Sequence, residues 1–317
     1  MKHNLKITTI LLSMFIIAQL IGIYVINADP FTVQKEINGT VQEVDNSYLL
    51  WINPPKAETQ GEFTQLFVNI IIAFLLAIVI LILLMKFRVS VFLKIWFFLV
   101  VSIALLLSFL ALMKLLPFEI NVRTSFIFSL ILAVLLASLK FFGRNFLVHN
   151  FTELLIYPGI ATVFVPLLNV WTIAALLVLI SVYDIWAVWH SGIMQKMAKY
   201  QIDTLKVFSG FFVPYVSKKV KQQISRWKKT LSRSQLKKKK IKVNVAILGG
   251  GDIVFPIITA GVMLKTLGLG SAFFVIVGAT LGLSYLFIAA EKRKFYPAMP
   301  FITAGILVGI LASYLIL

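Results

Sequence analysis

The sequence predicts an all-α polytopic membrane protein with nine transmembrane helices. Of its 317 residues, 60% are hydrophobic and only 13% are charged, and the mean hydropathy of +0.96 lies far outside the range of soluble domains. A helix needs about 20 apolar residues to cross a bilayer, and runs of that length recur along the whole chain. Because lipid offers the backbone no hydrogen-bond partners, helices are the expected form of these spans.

The predicted spans follow one another closely, and two of them have an alternative interpretation. The fifth and sixth are separated only by Leu168-Asn169-Val170, so a single re-entrant element is the alternative there. The first span follows a basic stretch, as a signal peptide would. Its apolar run exceeds the usual length of about 7–15 residues, and a poor cleavage site follows it, which favours a retained helix. The nine spans are 6–26, 65–86, 93–116, 124–140, 152–168, 170–190, 243–263, 268–290 and 296–317.

The spans divide the chain into three predicted parts. Residues 1–190 carry helices 1–6, residues 243–317 carry helices 7–9, and residues 191–242 form a loop between them. Within this loop, an apolar stripe over 193–216 predicts an interfacial helix. The polybasic stretch 218–242 predicts contact with anionic lipid headgroups. Nucleic acid is not an expected partner, because no fold or interleaved aromatic pattern supports it.

The distribution of basic residues predicts the orientation in the membrane. With the N-terminus in the cytoplasm, the segments on the inside hold 25 of the 30 lysines and arginines. The loop 27–64, which holds six of the 12 acidic residues, then lies outside, as does the C-terminus. Such a bias normally fixes the direction of insertion.

The residue types that are absent or scattered exclude several kinds of chemistry. The chain has no cysteine and three histidines far apart in sequence. Thiol nucleophiles, disulfides and thiolate metal sites are therefore excluded, and without an H-E-x-x-H pair a zinc protease is not expected. No metal and no cofactor is predicted.

Two aspartates carry the functional prediction. Among 12 acidic residues, only Asp184 and Asp252 are expected inside long apolar stretches. A carboxylate at a helix centre costs about 2.5–3.5 kcal/mol on insertion scales, so its presence suggests a function. The predicted orientation places both in the cytoplasmic half, where they could share one proton and activate water.

Three short motifs surround these aspartates, and each also has an ordinary structural explanation. Tyr183 precedes Asp184, and tyrosine is common in membrane helices. Gly249-Gly250-Gly251 precedes Asp252; such glycines loosen a helix or let a substrate approach, and they also serve helix packing. Pro297-Ala298-Met299-Pro300 opens the last span, where proline is ordinary but where an extended peptide could also pair.

Taken together, Tyr183-Asp184, Gly249-x-Gly251-Asp252 and residues 297–300 resemble the YD, GxGD and PAL motifs of the presenilin and signal peptide peptidase family. Their order agrees with the family, and Met299 stands where the family usually has leucine. The predicted orientation matches the presenilin branch, and the short loop is similar to that of prokaryotic, chiefly archaeal, homologues.

The resemblance implies an intramembrane aspartyl endopeptidase of a prokaryotic plasma membrane, acting on single-span membrane proteins. Asp184 and Asp252 would be the catalytic residues, and a homo-oligomer is compatible with the sequence. The residues implied in substrate binding are Tyr183, Gly249, Gly250, Gly251, Pro297, Ala298, Met299 and Pro300.

Two other functions compete with this interpretation. A proton- or cation-coupled transporter would also use intramembrane carboxylates and glycine-broken helices. Against it, no inverted repeat is evident in the sequence. A membrane scaffold without catalysis leaves both aspartates unexplained.

Overall fold

The structure, a computed structural model, describes residues 5–37, 40–86, 90–117, 120–143, 145–191, 208–215, 244–290 and 296–317. Within these residues it contains nine α-helices, all long and apolar enough to cross a membrane. The predicted fold class is therefore confirmed. The helices are α1 Leu5–Ala28, α2 Gln60–Lys86, α3 Ser90–Met113, α4 Val122–Phe142, α5 Phe146–Phe164, α6 Val170–Trp189, α7 Gly250–Leu267, α8 Leu269–Ala289 and α9 Met299–Ile316.

Four short strands, which were not predicted, accompany the helices in the described part of the chain. Strands β1 (Thr32–Ile37) and β2 (Thr40–Asp45) form an antiparallel pair after α1. Strands β3 (Gly210–Tyr215) and β4 (Asn244–Gly249) form a second pair, and β4 leads directly into α7. The prediction of an interfacial helix over 193–216 is therefore wrong at 210–215, and 193–207 lies outside the described residues, as does 218–242.

The seventh predicted span also starts too early. The prediction placed helix from residue 243, whereas α7 begins at Gly250. Residues Asn244–Gly249 pair with β3 instead, because their β-branched Val245 and Ile247 alternate with buried Ala246 and Leu248 across the sheet. The fifth span begins earlier than predicted, at Phe146 rather than residue 152.

The connection between α5 and α6 shows two separate helices and excludes the single re-entrant element. A 3-10 turn over Val165–Leu167 ends α5, and Asn169 then caps α6. The Asn169 side chain accepts the Thr172 N–H, while the Thr172 hydroxyl accepts the Asn169 N–H, which forms a capping box. These are two separate helices.

Helix α1 lies in the larger of two apolar clusters and packs against α5 and α7. Leu11, Phe15 and Ala18 are fully buried there. The smaller cluster joins α3 and α4 to α5. Helices α8 and α9 form the closest pair: glycines 278, 282, 305 and 309 let the two backbones touch. Helix α2 lies at the periphery of the bundle.

Candidate active site

Asp184 lies near the C-terminal end of α6 and is held by the start of α9. Its side chain is 7% exposed, and its Oδ2 accepts the backbone N–H of Met299 at 3.1 Å. The N–H groups of a first helical turn have no partners within their own helix, so a carboxylate is a natural acceptor there. One turn earlier, the Ser181 hydroxyl donates to Thr303 Oγ1 at 2.8 Å and joins the same two helices.

Asp252 lies in the first turn of α7, at the same end of the bundle. Strand β4 ends at Gly249, which is the N-cap of α7 and lies beside the aspartate. A Cβ at Gly249 would stand 3.2 Å from Asp252 Oδ2, and one at Gly250 would stand 2.9 Å from the Tyr157 hydroxyl. A side chain at Gly250 would therefore force a neighbouring side chain to shift, and one at Gly249 would press on the Asp252 carboxylate.

The structure brings the two aspartates into one site. Helices α6 and α7 contact each other, and the carboxylates of Asp184 and Asp252 are close enough to interact electrostatically. Gln19 on α1 steadies α7 just beyond the site, because its Nε2 donates to the Ile253 carbonyl at 3.1 Å. Pro256 lies in the next turn of α7 and donates no backbone hydrogen bond.

Seven of the other predicted site residues lie beside one of the two aspartates, and Tyr183 faces a different helix. Gly249, Gly250 and Gly251 adjoin Asp252, and residues 297–300 adjoin Asp184, with Pro297 and Met299 buried. Tyr183 points elsewhere: its ring lies edge-on to Phe74 of α2, with 5.7 Å between the ring centroids. Tyr183 thus forms part of the contact between α6 and α2.

Sequence reasoning missed a buried acidic residue on α5. Glu153 lies inside α5, is 1% exposed, and forms an ion pair with Lys140 of α4. Its Oε1 also lies 3.6 Å from His149 Nε2. The expectation that only two carboxylates lie in apolar spans is therefore wrong: the predicted fifth span began at residue 152, which put Glu153 at its edge, whereas the helix begins at Phe146. The spacing of His149 and Glu153 by four residues was the available signal, since such residues share one helix face.

The described residues hold no group of three or more acidic or histidine side chains that could bind a metal ion. The site thus consists of two acidic side chains, the glycine-lined start of one helix and the proline-flanked start of another. Such a site, in a bundle of nine helices among the described residues, defines a multi-pass membrane protein with two carboxylates at the ends of neighbouring membrane helices.

The comparisons with known proteins agree with this class. Residues 50–317 match the family described as signal-peptide peptidase, presenilin aspartyl protease. The chain belongs to this family and is an intramembrane aspartic protease. Membership favours the protease over the transporter alternative. None of the curated proteins compared with the chain matches it.

Solved structures show the same fold. The chain is similar to a presenilin family intramembrane aspartate protease solved in space group C222, with a TM-score of 0.59 and 17% identity over 98% of this chain and 99% of that chain. A structure of such a protease in space group P2 gives a TM-score of 0.56 and 19% identity over 97% of each chain. At these identities the likeness concerns the fold alone.

Proposed function

We propose that Asp184 and Asp252 share one proton and together hydrolyse peptide bonds within transmembrane helices of membrane-protein substrates. The observation that carries the proposal is their placement: one near the end of α6 and one at the start of α7, close enough for their charges to interact. Two close carboxylates cannot both ionise readily, so the pair tends to hold a single proton.

The shared proton gives the pair both roles of acid–base catalysis. The ionised carboxylate takes a proton from a water molecule, and the water oxygen attacks the scissile carbonyl carbon. The protonated carboxylic acid donates its proton to the carbonyl oxygen as the tetrahedral intermediate forms. Collapse of the intermediate breaks the C–N bond. The leaving nitrogen takes up the proton of one carboxylic acid, and a hydroxyl of the intermediate gives its proton to the other carboxylate as it becomes the new carbonyl, so the pair again holds one proton. The two sites titrate as one unit, so we assign no fixed role to either residue.

The substrate would be a single transmembrane helix that unwinds locally to present an extended backbone. Residues 297–300 would line its path. They offer few free backbone groups for pairing, because Pro297 and Pro300 lack an N–H, Met299 donates to Asp184, and the Ala298 carbonyl accepts the Ile302 N–H. Strand β4 offers a second place for pairing. Among the described residues it pairs only with β3, and an extended peptide could add to its other edge.

Orientation and location belong to the same proposal. The distribution of lysine and arginine supports a cytoplasmic N-terminus and an external C-terminus, which places the aspartates in the cytoplasmic half of a prokaryotic plasma membrane. Water would reach the pair from that side. Residues 218–242 would contact anionic headgroups through their charge.

The test is cleavage of a fluorescently labelled single-span substrate by purified protein in lipid vesicles. Asp184→Asn and Asp252→Asn each keep the size of the side chain and remove its acid–base function, so each should abolish cleavage. The control is Asp45→Asn, which makes the same change at an exposed residue of β2. Activity that survives in either site variant would exclude a two-aspartate mechanism.

A further inference from the structure

We propose that Asn150 of α5, together with His149, is a positioning residue that fixes Asp252 opposite Asp184 by holding strand β3. The inference rests on the proposed two-aspartate function and adds to it the element that keeps the pair aligned. Neither residue touches the aspartates. Their influence is transmitted through the backbone pairing of β3 with β4.

Asn150 binds β3 in the way that a neighbouring strand would. Its Nδ2 donates to the Phe212 carbonyl at 2.8 Å, and its Oδ1 accepts the Phe212 N–H at 3.1 Å. One side chain thus satisfies both backbone groups of one residue, on the edge of β3 that faces away from β4. Asn150 is only 9% exposed, so these groups would have few alternative partners if the amide were removed.

His149 fixes the beginning of the same strand. Its Nε2 lies 2.9 Å from the Gly210 carbonyl oxygen, and its ring packs against that of Phe212 with 4.7 Å between centroids. Gly210 has a φ of +139°, a region that other residues rarely adopt, and a Cβ there would stand 2.4 Å from the Leu248 carbonyl. The start of β3 is therefore held in one geometry from two sides.

The pairing register carries this constraint to Asp252. Gly210 lies opposite Gly249, and Phe212 lies opposite Ile247. Gly249 is the last residue of β4 and the N-cap of α7, and it borders the Asp252 carboxylate. No loop intervenes between β4 and α7 that could absorb a shift. A displacement of β3 would therefore move the first turn of α7 and its aspartate.

Helix α5 is itself well anchored, which makes it suited to this role. The ion pair of Lys140 with Glu153 ties it to α4 within the bundle. The Ser108 hydroxyl of α3 donates to the Leu155 carbonyl at 2.5 Å, and Gly159 lets α5 touch the α3 backbone at Ala104. Asn150 and His149 thus project from a supported helix onto a two-stranded sheet that has no other strand among the described residues.

The first experiment measures alignment without catalysis. The chain has no cysteine, so Asp184→Cys combined with Asp252→Cys gives one reactive pair. A short bifunctional thiol reagent should cross-link this pair in lipid vesicles, and adding Asn150→Leu should slow the reaction about tenfold or more. The matched control is Asn169→Ala, which removes a structural amide at the other end of α6 and should leave the rate unchanged.

The second experiment uses the protease with both aspartates intact. Asn150→Leu should lower kcat by about 10- to 100-fold, because misplacement of a catalytic group by about 1 Å costs that much, while KM stays nearly constant. Asn150→Gln carries the same amide on a longer side chain and should recover part of the rate. If Asn150→Leu does not fold, Asn150→Gln is measured in its place.

The outcomes separate this inference from the proposed function. The reference pair is Asp184→Cys with Asp252→Cys and an intact Asn150. If this pair cross-links, and the Asn150 variants change neither the cross-linking rate nor kcat, the positioning role alone is overturned. A fall in kcat that Asn169→Ala reproduces at equal thermal stability would also overturn it, since general destabilisation would then be the cause. A reference pair that does not cross-link would refute the two-aspartate site, and this inference would fall with it.

Discussion

Replacing Gly305 of α9 by alanine tests whether the close approach of α8 and α9 sets the position of Met299, the residue whose N–H binds Asp184. A Cβ at Gly305 would stand 2.1 Å from the Gly278 carbonyl oxygen, and one at Gly278 would stand 2.2 Å from the Gly305 carbonyl oxygen. Both neighbours are backbone atoms, which cannot turn aside. Ordinary contact begins at 3.4 Å, so the added methyl group must separate the helices by about 1.3 Å.

Two opposing effects decide the sign of the change in stability. Alanine in place of glycine favours a helix by about 1 kcal/mol. Overpacking of a close contact costs about 1–3 kcal/mol, and here the clash is with backbone at the centre of the contact, so we expect a net loss of about 1–2 kcal/mol. The shift also moves α9, whose first residue Met299 donates to Asp184 at 3.1 Å. We expect kcat to fall by up to about 100-fold.

Thermal unfolding in detergent and single-turnover cleavage measure the two effects. Gly61→Ala is the control, because a Cβ at Gly61 in the first turn of α2 would meet nothing within 4 Å. It should leave stability and rate unchanged or slightly raise stability. If Gly305→Ala is as stable and as active as the Gly61 variant, the close approach of α8 and α9 does not position Met299, and the reasoning fails.

Three further predictions follow from other parts of the molecule. Lys114 donates to the carbonyls of Ala28, Asp29 and Thr32 at 2.7–2.9 Å, so Lys114→Met should cost about 1 kcal/mol in the free energy of unfolding, a small value because the side chain is partly exposed. Partial burial lowers the pKa of the Lys114 side chain. As the pH rises towards 10.5, the folded chain therefore releases this proton before the unfolded chain does. The free energy of unfolding of the wild type should then rise relative to that of the Lys114→Met variant. Glu153→Gln leaves a buried lysine unpaired and should lower the free energy of unfolding by about 3–5 kcal/mol, whereas combining it with Lys140→Met should recover most of the loss. A single cysteine within 218–240 should react only with reagent on the cytoplasmic side, and one within 35–60 only from outside; external labelling of 218–240 would invert the orientation.

The helices were predictable because hydropathy and length suffice to define a membrane span. The start of α7 was not, because Asn244–Gly249 is as apolar as the helix that follows it. Its state depends on pairing with β3, which lies more than thirty residues earlier in the chain. Alternation of β-branched residues before three glycines was a weak local signal, and local pattern cannot decide between helix and strand when the partner is distant.

The two aspartates could be found from sequence because a carboxylate in an apolar span is costly and therefore conspicuous. Glu153 was overlooked because the sequence before it, with His149 and Asn150, is too polar to suggest a membrane helix. In the structure these polar side chains contact Lys140 and the backbone of β3, through interactions between elements distant in sequence. The sequence therefore predicted the pair of aspartates proposed to be catalytic, but not the polar contacts of α5 with β3 and α4.

The central claim is that Asp184 and Asp252 act as one unit that carries a single proton. The most direct test is the rate of substrate cleavage in single turnover, with chemistry limiting, measured from about pH 4 to 9. We expect a bell-shaped profile, because neither the doubly protonated nor the doubly ionised pair can supply both an acid and a base. A rate that stays constant across this range would contradict it.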